Sequence, residues 1–160
     1  MTLRIATPGD SRCISSIVRE SSAYKGEYKI QVEGRSFEES FFRDNLVKVC
    51  EIDGGEIVGF YSITTPGVTR TQGDSELSYL FVHNEWQGKG IGRKLFHDAV
   101  STARLEGRTR LIIVAHPPSR GFYLRMGAEK VGEQSPLGKV RWNRPIYAVN
   151  LGNQSDQRVR

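Results

Sequence analysis

Cysteine is nearly absent from this chain of 160 residues, which holds only Cys13 and Cys50. Neither has metal-ligand or redox spacing, and their neighbours are apolar: Ile14 follows Cys13, and Val47 and Val49 precede Cys50. Each reads as a small buried hydrophobe, which argues against disulfides, thiolate metal sites and a cysteine nucleophile. A chain of this length buries enough core to stand without staples or a structural metal. Long apolar runs are missing too. Nothing approaches the ~20 residues that cross a bilayer, and no signal-type apolar segment follows Met1, so the expectation is a soluble, cytoplasmic protein with no membrane partner. Basic runs interleaved with aromatics are also lacking. The formal charge is +5, but Lys and Arg are scattered among acids, which disfavours a nucleic-acid partner and suits an anionic small ligand.

What is present alternates strand and helix signals. Leu3 and Ile5 mark a strand, Thr7-Pro8-Gly9-Asp10 a turn and helix start, and Ile14, Ile17 and Val18 a helix. Residues 23–34 keep no period, and Ser36 with Glu39 resembles a capping box opening a short helix through Phe41 and Phe42. Residues 47–51 and 57–63 flank Asp53-Gly54-Gly55 as a hairpin, a polar loop covers 66–73, and a strand runs over 76–82. Ile91, Leu95, Phe96, Ala99, Val100 and Ala103 keep helical spacing up to Gly107. The run Leu111-Ile112-Ile113-Val114-Ala115 has no alternation, as in a central strand covered on both faces. A short helix through Phe122, Tyr123 and Met126 stops at Gly127, and strands follow at 130–131 and 140–149. The reading is a single mixed α/β domain over 1–151 with a polar tail, 152–160, expected to fray.

Between the strand ending at Val82 and the long helix lies Gln87-Gly88-Lys89-Gly90-Ile91-Gly92-Arg93. Glycines let backbone N–H groups close on a phosphate, a helix start adds its positive dipole end, and Lys89, Arg93 and Lys94 add charge. The plain alternative is an ordinary tight turn. A dinucleotide fingerprint fails on spacing, because the residue three past Gly90 is Arg93 and the turn follows antiparallel-looking strands.

The element order, the segment Gln87-Gly-Lys-Gly90-Ile-Gly92, the segment Phe122-Tyr123-Leu-Arg-Met-Gly127 and the opening Leu3-Arg-Ile-Ala-Thr-Pro-Gly-Asp10 together resemble the GCN5-related N-acetyltransferase (GNAT) family over about residues 2 to 150. The resemblance implies an acyltransferase fold: a mostly antiparallel sheet of six to seven strands, splayed between the fourth and fifth, with about four helices. It implies acetyl-CoA as cosubstrate and no metal. The cofactor's pyrophosphate would lie on Gln87, Gly88, Lys89, Gly90, Ile91, Gly92 and Arg93, and its pantetheine on the backbone of Leu80, Phe81 and Val82, beside a strand bulge on which side-chain identity is silent. The implied reaction is acetyl transfer to a primary amine, on a small molecule or peptide, by direct attack in a ternary complex. A non-catalytic acyl-CoA sensor on the same fold is the alternative, and homodimers are common in the family.

Tyr123 stands where the family's general-acid tyrosine stands, and a phenol of pKa ~10 can return a proton to a thiolate of cysteine-like pKa ~8.5. Its alternative is core packing. Glu76 matches the glutamate base of the histone-acetylating branch, with Glu27, Glu33 and Asp74 as substitutes and solvated surface as the plain reading. Where many relatives carry an Asn after the strand before the tyrosine helix, this chain has His116-Pro117-Pro118-Ser119. Ser119 either bonds pantetheine or, as serine prefers, caps the helix, and His116 reads either as a titrating group facing the thiol or, more plainly, as a turn residue. The implied acceptor pocket uses the loops at about 23–35 and 133–141. There Tyr24, Tyr28, Glu27 and Glu33 offer aromatic walls and negative charge to a cationic amine, whereas Arg141 and Arg144 would attract an acidic one.

Overall fold

In a computed structural model of the chain, residues 1–152 are described, so the expectation for the tail beyond Gly152 lies outside the described residues. Seven strands form one sheet. β1 (Thr2–Ile5), β2 (Leu46–Glu51), β3 (Ile57–Thr64) and β4 (Asp74–Val82) pair antiparallel in chain order. β4 then runs parallel to β5 (Arg110–Val114), which pairs antiparallel with β7 (Arg144–Asn150), and β6 (Glu129–Gln134) closes the far edge. The order is β1-β2-β3-β4-β5-β7-β6. Among the described residues four helices dress it: α1 (Ser11–Arg19), α2 (Glu39–Asp44), α3 (Ile91–Leu105) and α4 (Arg120–Arg125). A parallel pair needs a crossover, and α3 supplies the one between β4 and β5.

The sheet separates two cores. Ile14, Ile17 and Val18 of α1 pack with Phe60 and Phe81, while Ile91, Leu95, Phe96 and Ala99 of α3 pack with Tyr61, Ile63 and Tyr123. β3 therefore buries both faces, and Leu111, Ile112 and Ile113 of β5 are buried as their unbroken apolar run predicts. No helix among the described residues is long and apolar enough to cross a membrane.

Several local expectations need correction. Ser36 caps nothing: Phe37 inserts into the core and its carbonyl accepts the Ser11 hydroxyl, which keeps the chain extended until Glu38, the residue at the N-cap of α2. Cys13 is exposed because Ile14, Ile17 and Val18 take the buried stripe of α1, whereas Cys50 is buried as expected. The last strand starts at Arg144 instead of 140, since Leu137 and Val140 first close a small bridge of their own.

The feature that makes the site is how briefly β4 and β5 stay together. They pair only at Asp74↔Arg110, Ser75↔Leu111 and Glu76↔Ile112. Asp74 is buried and accepts Arg110 Nε at 2.9 Å, Arg110 Nη2 at 2.8 Å and the Thr69 hydroxyl at 2.7 Å, which locks this short seam. Asp74 is thus a structural acid; the Arg110 guanidinium holds its carboxyl below the usual range, so it is no substitute base.

Candidate active site

Past Glu76 the two strands part, and a cavity of about 580 Å³ opens between them, within the range of ligand pockets. Residues 77–82 of β4 pair only with β3, so their other edge presents backbone groups that lack a ladder partner. A bulge sits at the parting. Ser62 faces Tyr79 and Ile63 faces Leu77, which leaves Ser78 unopposed. Its hydroxyl is tied to Ser62 Oγ at 2.7 Å and Thr64 Oγ1 at 2.8 Å, so side chains pin the kink that re-aims the strand. Leu80, Phe81 and Val82 line the cavity beyond it.

At the end of β4 the glycine turn leads into α3. Gly88 and Gly90 have φ of 76° and 83°, and an added Cβ at either meets nothing within 4 Å, so backbone conformation rather than space calls for glycine. No described hydrogen bond takes the N–H of any residue from 88 to 93; the first in helical register is Lys94 N to the Gly90 carbonyl, at 3.1 Å. Six successive free donors at the start of a fifteen-residue helix form an anion cradle. Gln87 folds back, its amide 3.3 Å from the Val82 carbonyl, and Gln87 and Gly92 reach the cavity wall. Gly88, Lys89, Gly90, Ile91 and Arg93 lie outside that wall, Lys89 with its ammonium 4.7 Å from the Trp86 ring centroid.

Tyr123 and Glu76 come to the same cavity. Tyr123 is buried among Phe96, Phe122 and Tyr147, burial pushes its phenol well up, and its hydroxyl bonds no described residue. Glu76 is half-buried at the parting of the strands, and one carboxylate oxygen accepts the Val68 N–H at 2.7 Å. Gly67 is required beside it, since a Cβ there would stand 2.6 Å from that of Glu76.

The opposite wall is aromatic. Tyr24 lies flat on His116 with centroids 3.8 Å apart and also stacks on Phe81, while Tyr28 stands edge-on to His116 and to Trp142. His116 Nε2 donates to the Ala23 carbonyl at 2.8 Å, which leaves Nδ1 as a lone-pair acceptor, buried and without a partner among the described residues. Burial lowers its pKa, which favours the neutral ring. His116 is therefore no mere turn residue: it pins the 23–31 segment across the cleft. The backbone of that segment is not structureless either, since Gly26–Gln31 forms a 3-10 turn. Tyr24, His116 and Arg144 line the cavity; Tyr28 supports the wall from behind, and Glu27, Glu33 and Arg141 are exposed outside it.

The sequence profile of the acetyltransferase (GNAT) domain matches residues 20–141. The chain belongs to the GNAT acetyltransferase family. It is 29% identical over 133 residues to the 5-NmdU N-acetyltransferase of Pseudomonas phage PaMx11, covering 83% of this chain and 90% of that one. A phosphinothricin acetyltransferase from Sinorhizobium meliloti, solved in complex with AcCoA, has the same fold at a TM-score of 0.73 and 24% identity, covering 96% of this chain and 90% of its own. An N-acetyltransferase from Staphylococcus aureus Mu50 superposes at 0.70 with 18% identity, covering 94% and 98%. In this acetyltransferase Ser119 occupies the N-cap position of α4 yet makes no side-chain cap bond, and it lines the cavity. Among the described residues no group of three or more His, Cys, Asp or Glu is placed to hold a metal ion.

Proposed function

We propose that this acetyltransferase moves the acetyl group of acetyl-CoA to a primary amine, by direct attack within a ternary complex. The observation that carries the reading is the unpaired edge of β4 at residues 77–82, lying between a glycine turn rich in free N–H donors and the Tyr123 phenol. The fit to acetyl-CoA is chemical: a pyrophosphate suits six unpaired backbone donors, and an amide-bearing arm suits an open strand edge. A structural neighbour complexed with AcCoA and a relative named as an N-acetyltransferase support the same donor and the same bond.

Bound acetyl-CoA supplies a thioester whose carbonyl carbon accepts the amine nitrogen. Residues 88–93 would hold the pyrophosphate and Leu80, Phe81 and Val82 the pantetheine, with Gln87 and Ser119 at its sides. A β4 N–H directed at the thioester oxygen stabilises the charge that develops there, without ionisation. Glu76 takes the proton that the amine loses, directly or through water. Tyr123 gives a proton to the sulfur as the C–S bond breaks and the N–C bond forms.

Calorimetric titration with acetyl-CoA and thiol-release assays over an amine panel test this. Micromolar binding, with thiol released only when an amine is present, is expected. Absence of binding, or no release with any amine, overturns it.

A further inference from the structure

The charge of the cavity wall does not suit a simple cationic amine. Its charged side chains are Glu76, Arg35 and Arg144, two guanidiniums against one carboxylate, with burial favouring a neutral His116. Glu27 and Glu33, the acids expected to meet an ammonium, are exposed outside it. An ammonium seated at Glu76 therefore leaves positive charge unanswered.

Arg144, the first residue of β7, carries that surplus. It is half-buried and, among the described residues, makes no salt bridge and has its Nε occluded without a hydrogen-bond partner. Glu76 is close enough to favour its charge, one of its carboxylate oxygens accepting the Val68 N–H, yet burial still pulls the guanidinium pKa down. The neighbouring orphans share the location. Gln31 Oε1 and His116 Nδ1 belong to residues of the same cavity, and Trp142 Nε1 lies behind it against Tyr28. Buried polar atoms are normally paired, so a cluster of unpaired ones marks a wall that a polar ligand completes.

We propose that the acceptor is an amine that also carries an anionic group, a carboxylate or a phosphate, and that Arg144 pairs with that group while the amine faces Glu76. The inference rests on the N-acetyltransferase reading above. A guanidinium forks onto either anion with two parallel hydrogen bonds, and it repels a second ammonium, so diamines are rejected by the same residue.

Matched twins test it: an amino acid against its carboxamide, and an aminoalkyl phosphate against the corresponding amino alcohol, compared by kcat/KM for thiol release at saturating acetyl-CoA. One anionic twin is expected to exceed its neutral partner on the order of tenfold to a hundredfold, as charge-assisted hydrogen bonds do, and which pair shows it tells carboxylate from phosphate. Arg144→Gln should erase that preference mainly through KM, with acetyl-CoA affinity retained as evidence of fold, and Arg144→Lys should keep part of it. Neutral twins turned over as well as anionic ones overturn the inference and leave the N-acetyltransferase reading standing. An Arg144→Gln loss equal for both twins also overturns it, since Arg144 would then act only on Glu76. Failure of every amine overturns the reading and the inference together.

Discussion

The two sides of the cleft are made of different material. The proposed donor side is backbone: an open strand edge at residues 77–82, and free N–H groups at 88–93, where Gly88 and Gly90 set the turn. The proposed acceptor side is side chains: Tyr24 on His116, Tyr28 and Trp142 behind them, and Arg144 beside Glu76. A backbone site constrains the sequence only through glycine spacing and strand ends, so one donor can be held by many sequences. A side-chain site is rewritten by single substitutions, which is how one fold serves many acceptors.

Glu76 and Tyr123 stand where the two materials meet, and their removal breaks the comparison hardest. Glu76→Gln keeps an acceptor for the Val68 N–H but cannot take a proton, so kcat should fall by about 10²–10³ with acetyl-CoA affinity unchanged. An unaltered pre-steady-state rate would reduce Glu76 to surface. Tyr123→Phe should cost about 10²-fold in kcat, again with donor affinity kept, because its hydroxyl bonds no described residue and the ring packing survives. Parallel losses in acetyl-CoA affinity would move Tyr123 from proton donor to cofactor wall.

What was legible in the sequence follows the same divide. The glycine turn, the Phe122-Tyr123 helix, the Asp53-Gly54-Gly55 hairpin and the covered run at 111–113 all depend on local chemistry, and all form as read. The splay itself came through family resemblance alone. Its physical causes are long-range: Asp74 meets Arg110 36 residues later, and the Ser78 bulge is pinned by Ser62 and Thr64 on the next strand. His116 was hidden by its own neighbours. Two following prolines give a strong turn signal, while its partner, Ala23, lies 93 residues away. Glu27 and Glu33 read as pocket acids because an aperiodic loop does not reveal which way its side chains face, and both turn outward.

The seam below the cleft gives a prediction on stability. Asp74→Asn should destabilise the fold by about 2 kcal/mol, less than a fully buried pair because Arg110 is partly exposed, lowering Tm by roughly 4–8 °C. The carboxyl is depressed in the folded state, so its contribution is complete above the ordinary carboxyl pKa of ~4 and is lost as pH falls through the lowered value. In melts recorded from pH 7 to 2, the substituted protein should show a shallower acid limb. Equal limbs would assign the acid sensitivity elsewhere, Asp10 beside Arg4 being the other depressed carboxyl.

The smallest effect tests whether the donor side is backbone in fact. Gly90→Ala adds a methyl where nothing lies within 4 Å, so no clash arises; the cost is the left-handed conformation, about 1 kcal/mol. If the free N–H groups hold the donor, relaxing that residue out of φ 83° misaligns them, and acetyl-CoA affinity should fall several-fold while the acceptor KM, measured at saturating acetyl-CoA, stays put. The readout is the pair of constants from one thiol-release series. A shift in the acceptor constant with the donor constant unmoved would show that the glycine turn shapes the whole cavity, and the division between backbone and side-chain walls would fall.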